Sequence, residues 1–443
     1  MSRLLAAQRA LTVPGWVKDE LWRRARATPS LDLRFADSKS LVDATTGQNL
    51  VTFTRASEAT FVNSQGQIQT AAINAPRFDH NPTTGESLGL LVEEQRTNSI
   101  RNNTMVGAVA GTPGTLPTNW AYFGVGTLTT SIVEVGTVLG ISYFDVRFSG
   151  TSSTAQVGVR FEPSNVVAAA NGQSWSWSLW SAVVGGSISN ITLVQSNCNL
   201  FNSSAAFIGG TTAMNLNTSS TFLRNTAAAT IAAATTAFIQ PQVYFTCASG
   251  TAIDITLRIG MPQLEQGAFA TSVIPTTGTA ATRSADVASI TGSAFSGWYR
   301  QDEGSFYSVT ETLPGVTATS RFILEVNTGI GTASDKWDIR RTGSTAVRTI
   351  ARIGGVSTAD RTESLASSVF RAAAGADGSS VSLAVNGGTI TPTANTVGTM
   401  PVVTQMQIGN GGDAPTLLLN GHIRRLTYFP QRLANSTLQA ITL

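Results

Sequence analysis

Charge is scarce in this chain of 443 residues: 12% is Asp, Glu, Lys or Arg, about half of the roughly 25% usual in a globular domain. From Pro163 to Ile253 the one charged residue is Arg224. Histidine and cysteine are nearly missing too, with two of each. That leaves no cysteine pair or histidine spacing of the kind that ligates zinc, so neither a metal nor a cofactor is expected. There is no nucleophile elbow, no phosphate-binding glycine loop, no dinucleotide fingerprint and no H-E-x-x-H. No run of about 18 apolar residues occurs, and no membrane insertion is expected. Cys198 and Cys247 stand in apolar, strand-like contexts. They are expected as buried free thiols, which fits assembly in a reducing cytoplasm.

Glycine, serine, threonine and asparagine replace the missing charge, while hydrophobic content is 42%. The chain can therefore build real cores. This is the composition of short strands joined by many turns. The expected fold class is mainly β, with two β-sandwich or jelly-roll domains after a short helical anchor and a small β connector. The expected boundaries are 1–28 for the anchor, 29–98 for the connector, 99–275 for the first jelly roll, 276–286 for a linker and 287–443 for the second jelly roll.

The basic excess is concentrated at one end. Residues 1–28 hold six basic and two acidic side chains, a balance of +4, whereas the whole chain carries +3. A basic end with a near-neutral body argues against a nucleic-acid-binding domain. Leu4, Leu5 and Leu11 share one face of a first short helix, and Pro14-Gly15 breaks it. Trp16, Leu21 and Trp22 are the apolar contacts of a second helix, which also carries Arg23 and Arg24. Such a segment cannot bury its apolar side alone. It is expected to anchor the chain to a partner, with docking on its own chain as the alternative. The start resembles a signal peptide only loosely, because Gln8 and Arg9 interrupt its apolar run, and retention is expected.

Turn signals such as Asn171-Gly172, Gly185-Gly186 and Asn386-Gly387 separate strand candidates at sandwich-like intervals. Trp175, Trp177 and Leu179 share one strand face and are read as core rather than as a sugar-stacking platform. Trp120 and Tyr122 follow a Pro- and Gly-rich loop, which makes them candidate glycan contacts. Asn197 and Asn199 carry amides able to grip sugar hydroxyls, and Asp413 closes a glycine-rich loop that could line a sugar site. Asp79-His80 is read as structural, with Arg77 and Arg96 suited to pair with Asp79 and Glu93. A glycosidase would need two carboxylates in one cleft. Glu303, Glu311, Glu325, Asp335 and Asp338 could supply them.

One stretch carries more specific information. Phe53-Thr-Arg-Ala-Ser57, Thr60-Phe-Val62 with Gly66, Ala75-Pro-Arg-Phe-Asp79, Gly89-Leu-Leu-Val-Glu93 and Gln95-Arg-Thr-Asn98 occur in that order. This stretch, led by Leu31-Asp-Leu-Arg-Phe35, resembles a segment of head spike and tail fibre proteins of tailed phages and gene transfer agents. Residues 261–275 resemble the close of a carbohydrate-module-like jelly roll in such proteins. Residues 420–442 resemble the end of a laminin-G or concanavalin-like jelly roll. The resemblance implies a virion structural protein, assembled in the host cytoplasm and exposed on the particle. It implies an N-terminal attachment to a portal, tail or capsid vertex, a homo-oligomer with a trimer favoured, and non-covalent, non-enzymatic binding of host surface polysaccharide. A tailspike-like depolymerase and a ligand-free collar or decoration protein are the alternatives.

Overall fold

The computed structural model describes residues 19–316, 320–329, 335–412 and 417–443. It is mainly β, and its strands form two sandwiches. The first has a five-stranded sheet in the order Leu223–Thr230, Ser174–Ser187, Ala252–Gln266, Ile141–Thr151 and Thr129–Val138. Its six-stranded sheet runs Phe207–Gly210, Ile191–Phe201, Phe238–Cys247, Gln156–Arg160 and Ala121–Phe123, with Met214–Asn215 also paired to Ile191–Phe201. Residues two apart on a strand share a face. Val194, Cys198 and Leu200 therefore turn inward together and meet Ile239, Val243 and Phe245. Trp175, Trp177 and Leu179 fill the same core from the opposite sheet, all at most 3% exposed. Cys198 and Cys247 are buried and unbridged.

The second sandwich is discontinuous in sequence. One sheet runs Thr393–Ala394, Ser380–Val385, Val369–Asp377, Glu303–Thr312, Gly421–Phe429, Ser87–Val92 and Phe78–His80, and Leu31–Leu33 also pairs with Gly421–Phe429. The facing sheet runs Thr52–Thr54, Val287–Thr291, Gln405–Ile408, Arg321–Asn327, Lys336–Thr342, Ala346–Ile353 and Val356–Ser364. The segment 29–98, expected as a connector of its own, thus supplies strands to both sheets. The physical reason is edge cover: unpaired strand edges are a liability. Leu31 lies opposite Tyr428, Leu90 opposite Ile423 and Phe53 opposite Ala288. Leu31, Leu33, Phe53, Leu90 and Val92 enter the same core as Trp337 and Tyr428. Gly89 has φ +87°, and a Cβ there would stand 2.3 Å from the Ile423 carbonyl oxygen. Only glycine allows that approach.

The expected linker is structured as well, since Ala281–Arg283 pairs with Arg96–Asn98. The first sandwich is therefore an insertion in the second, entered and left through one two-stranded ribbon.

At the other end, the helix Glu20–Ala25 is capped by Asp19, whose carboxylate accepts the Trp22 N–H at 3.2 Å. Leu21 and Trp22 were expected to face a partner protein. They pack instead against Tyr307, Phe429 and the C-terminal helix residues Leu438 and Ile441. The chain's own last helix covers the apolar side, while Arg23 and Arg24 stay exposed. Leu4, Leu5, Leu11 and Trp16 lie outside the described residues.

Candidate functional site

The phage-like words of residues 53–98 converge on the ribbon that joins the sandwiches. Arg55, Arg77, Glu93, Arg283 and Asp286 are all at most 1% exposed. Arg77 donates to Glu93 Oε2 at 2.7 Å, to Ser272 Oγ at 2.8 Å and to Asp286. Arg55 donates to Asp286 Oδ1 at 3.1 Å and to backbone carbonyls of residues 57, 71, 72 and 75. Glu93 also receives the Ser272 N–H and hydroxyl, and Arg283 stands 3.0 Å away. Burial alone would raise the Glu93 carboxyl, but Arg283, Arg77 and Ser272 together hold it well below the usual range. The same ion pairs hold Arg77 above its ordinary value against the cost of burial. These partners correct the expected ones. Arg77 pairs with Glu93 rather than Asp79, Arg96 pairs with Glu94 at 2.6 Å, and Asp79 receives His422 at 2.9 Å. The cluster is a closed ionic joint with nowhere for a ligand to enter. Beside it lies a cleft of about 660 Å³ bordered by Glu94, Arg96, Thr97, Gln173, Trp175 and Gly267. Its charges are already matched in pairs, and Trp175 shows it only an edge at 3% exposure.

Of the glycan-contact candidates, Trp120 is core. It is 7% exposed, donates Nε1–H to the Asn102 carbonyl at 2.9 Å and packs on Phe144 and Phe161. The Pro-rich loop tucks the ring under the sandwich end instead of displaying it. Tyr122 turns its ring inward against Phe148. Asp413 lies outside the described residues.

Asn197 and Asn199 do meet on one surface, the outer face of the six-stranded sheet. Register places Asn197 opposite Gln242, Gln195 opposite Tyr244, and Asn199 opposite Gln240. Gln242 Nε2 donates to Asn197 Oδ1 at 3.0 Å, and Asn199 Nδ2 donates to Gln242 Oε1 at 2.9 Å. The Tyr244 hydroxyl donates to Gln195 Oε1 at 3.0 Å. Gly210 allows the Asn197 amide to lie close, since a Cβ there would stand 3.0 Å from it. Arg160 lies beside Gln242 in the next strand, with its guanidinium 4.7 Å from the centre of the Phe123 ring. The face is thus a pre-set array of amides, one phenol and one guanidinium on rigid strands. Gln242, Tyr244 and Arg160 were missed in the sequence, although their period of two was readable there: Gln240-Gln242-Tyr244 and Gln195-Asn197-Asn199 are polar against an apolar alternate set.

The possible acid pair behaves differently. Glu325 and Asp338 are cross-strand neighbours, both fully buried. Lys336 Nζ lies 3.0 Å from Glu325, Arg340 binds Asp338, and the Gly412 N–H donates to Glu325 at 2.7 Å. Burial pushes the Asp338 carboxyl up to about 6, with the Glu325 charge adding to the rise against Arg340 and Lys336. Among the described residues no group of three or more histidines, cysteines and carboxylates could hold a metal, and no helix is long and apolar enough to cross a membrane.

No family model and no curated protein matches this chain. Solved structures similar to it are carbohydrate-binding jelly-roll modules and laminin G domains. The CBM40 module of the Ruminococcus gnavus IT-sialidase, bound to α2,3-sialyllactose, is 16% identical over 34% of this chain and 86% of its own, with a TM-score of 0.30. The CBM22-1–CBM22-2 tandem domain of Paenibacillus barcinonensis Xyn10C is 9% identical over 73% and 97%, with a TM-score of 0.24. Domains LG4-5 of the mouse laminin α1 chain are 10% identical over 74% and 93%, also with a TM-score of 0.24. None is similar enough to transfer a ligand to this chain.

Proposed function

We propose that this protein is a non-catalytic glycan-binding subunit of a phage-type virion fibre or spike. The outer face of the inserted sandwich's six-stranded sheet is its binding surface. The observation that carries the binding reading is the amide array of Gln195, Asn197, Asn199 and Gln242 around Tyr244. Side-chain amides offer donor and acceptor side by side, matching the paired hydroxyls of a sugar ring. Held on strands and pre-bonded to one another, they lose little freedom on binding. Each site is weak, and repetition of the chain in a particle multiplies it. The virion setting rests on the resemblance of residues 31–98, and a trimer is the favoured assembly.

The double change of Asn197→Ala with Asn199→Ala is expected to weaken retention on host polysaccharide about tenfold, the equivalent of roughly one hydrogen bond. Unchanged retention would remove this face from the reading. Gold-labelled antibody should decorate intact particles, and light scattering should return three chains per assembly. A stable monomer absent from particles would defeat the fibre assignment.

A second reading, polysaccharide cleavage, is favoured by the raised Asp338 carboxyl beside Glu325. New reducing ends from capsule incubated with the protein, lost in Asp338→Asn, would establish it.

A further inference from the structure

We propose that the amide face takes an acidic saccharide, and that the Arg160 guanidinium receives the saccharide's carboxylate. This rests on the glycan-binding reading above and names the ligand class for the same face.

Arg160 is half-buried, and among the described residues no carboxylate, carbonyl or hydroxyl takes a hydrogen bond from it. Its Nε is fully covered and unpartnered. Neighbouring arginines are treated otherwise. Arg101 is held by both oxygens of Glu162, Arg258 by both oxygens of Asp145, and Arg224 by Ser178 and the Thr271 carbonyl. A guanidinium withdrawn from water without a partner is costly. Burial accordingly lowers its proton affinity, with no nearby acid to restore it.

The surroundings exclude an internal counter-ion. The strands of this sheet carry no other charged residue, and no acid occurs from Pro163 to Ile253. The missing partner therefore has to come from outside the face. Stacking on Phe123 holds the guanidinium plane, and a fixed planar fork matches a carboxylate through two parallel hydrogen bonds. Gln242 lies directly opposite in register, with Asn197 beyond it, within reach of the hydroxyls of the same ring. Cation and amides together suit a uronic acid or another carboxylate-bearing sugar better than a neutral one.

The test is affinity electrophoresis of the full chain in native gels containing hyaluronan, polygalacturonate or alginate. Each is compared with the same polymer after its carboxyls are reduced to alcohols. Retardation is expected with at least one acidic polymer, and at least tenfold weaker with its reduced form. Arg160→Gln should lose the acidic preference, Arg160→Lys should keep part of it, and equal melting temperatures would show that both variants are folded. Equal retardation by acidic and reduced polymers, or an unaffected Arg160→Gln, overturns the carboxylate assignment and leaves glycan binding standing. Equal retardation by dextran sulfate overturns it in favour of anions at large. No retardation by any polymer, charged or neutral, sinks both readings.

Discussion

Two buried carboxylates respond to pH in opposite directions. Glu93 is held below its ordinary value of 4.5 by Arg283 and Arg77. Its contribution to stability is complete above that pH and is lost as pH falls below it. Asp338 is raised from 3.8 to about 6 by burial. The folded chain keeps this proton longer than the unfolded chain, so stability falls as pH rises from about 3.8 to 6. Glu93→Gln should abolish the acid-side loss, and Asp338→Asn should abolish the decline between pH 4 and 6. Urea midpoints across pH 3–8 measure both. Arg77→Ala leaves Glu93 and Asp286 buried with one cation fewer, and about 3–5 kcal/mol of stability should go with it. The residue scale also shows where sequence reading stopped. Asn197 and Asn199 were visible by type. Arg160 was not, because a single charge on a strand usually reads as a solvated side chain. Trp120 looked displayed because its loop is rich in proline and glycine, yet burial is set by what the ring meets.

At the scale of the element, alternation told which side chains turn inward, as with Trp175, Trp177 and Leu179. It could not tell which strand would lie alongside. Leu31–Leu33 and Ser87–Val92 find their partner in Gly421–Phe429, more than 300 residues on. Periodicity assigns faces, and pairing over such distances follows from core fit and register. The segment 29–98 therefore looked like a module, whereas its strands are the outer edges of another one. Gly89→Ala tests this closely. It puts a Cβ against the Ile423 carbonyl at a positive φ, so it should loosen the 421–423 end of that strand. Faster amide exchange in residues 87–92 and 421–423, with the inserted sandwich unaffected, is the expected pattern.

At the scale of the whole molecule, the two halves depend on each other unequally. The inserted sandwich begins and ends at one ribbon, with Asn98 paired to Ala281. Replacing residues 99–280 by a two-residue Asn-Gly turn should leave a folded but weakened outer sandwich, because only the Thr271 and Ser272 contacts to the ionic joint are lost. Removing residues 19–54 should instead strip the outer edges from both sheets and expose the remainder to proteolysis. Gel filtration and protease digestion separate the two outcomes.

The threading of the outer sandwich also dictates an order of events during synthesis. Leu90 and Val92 leave the ribosome about 330 residues before the strand they pair with. At roughly 5–20 residues per second that is a delay of about 15–65 s. The inserted sandwich is complete in the interval and can fold first, bringing Asn98 and Ala281 together. The nascent chain meanwhile carries an early apolar segment with no mate, and the last strand to be made is the one that shelters it.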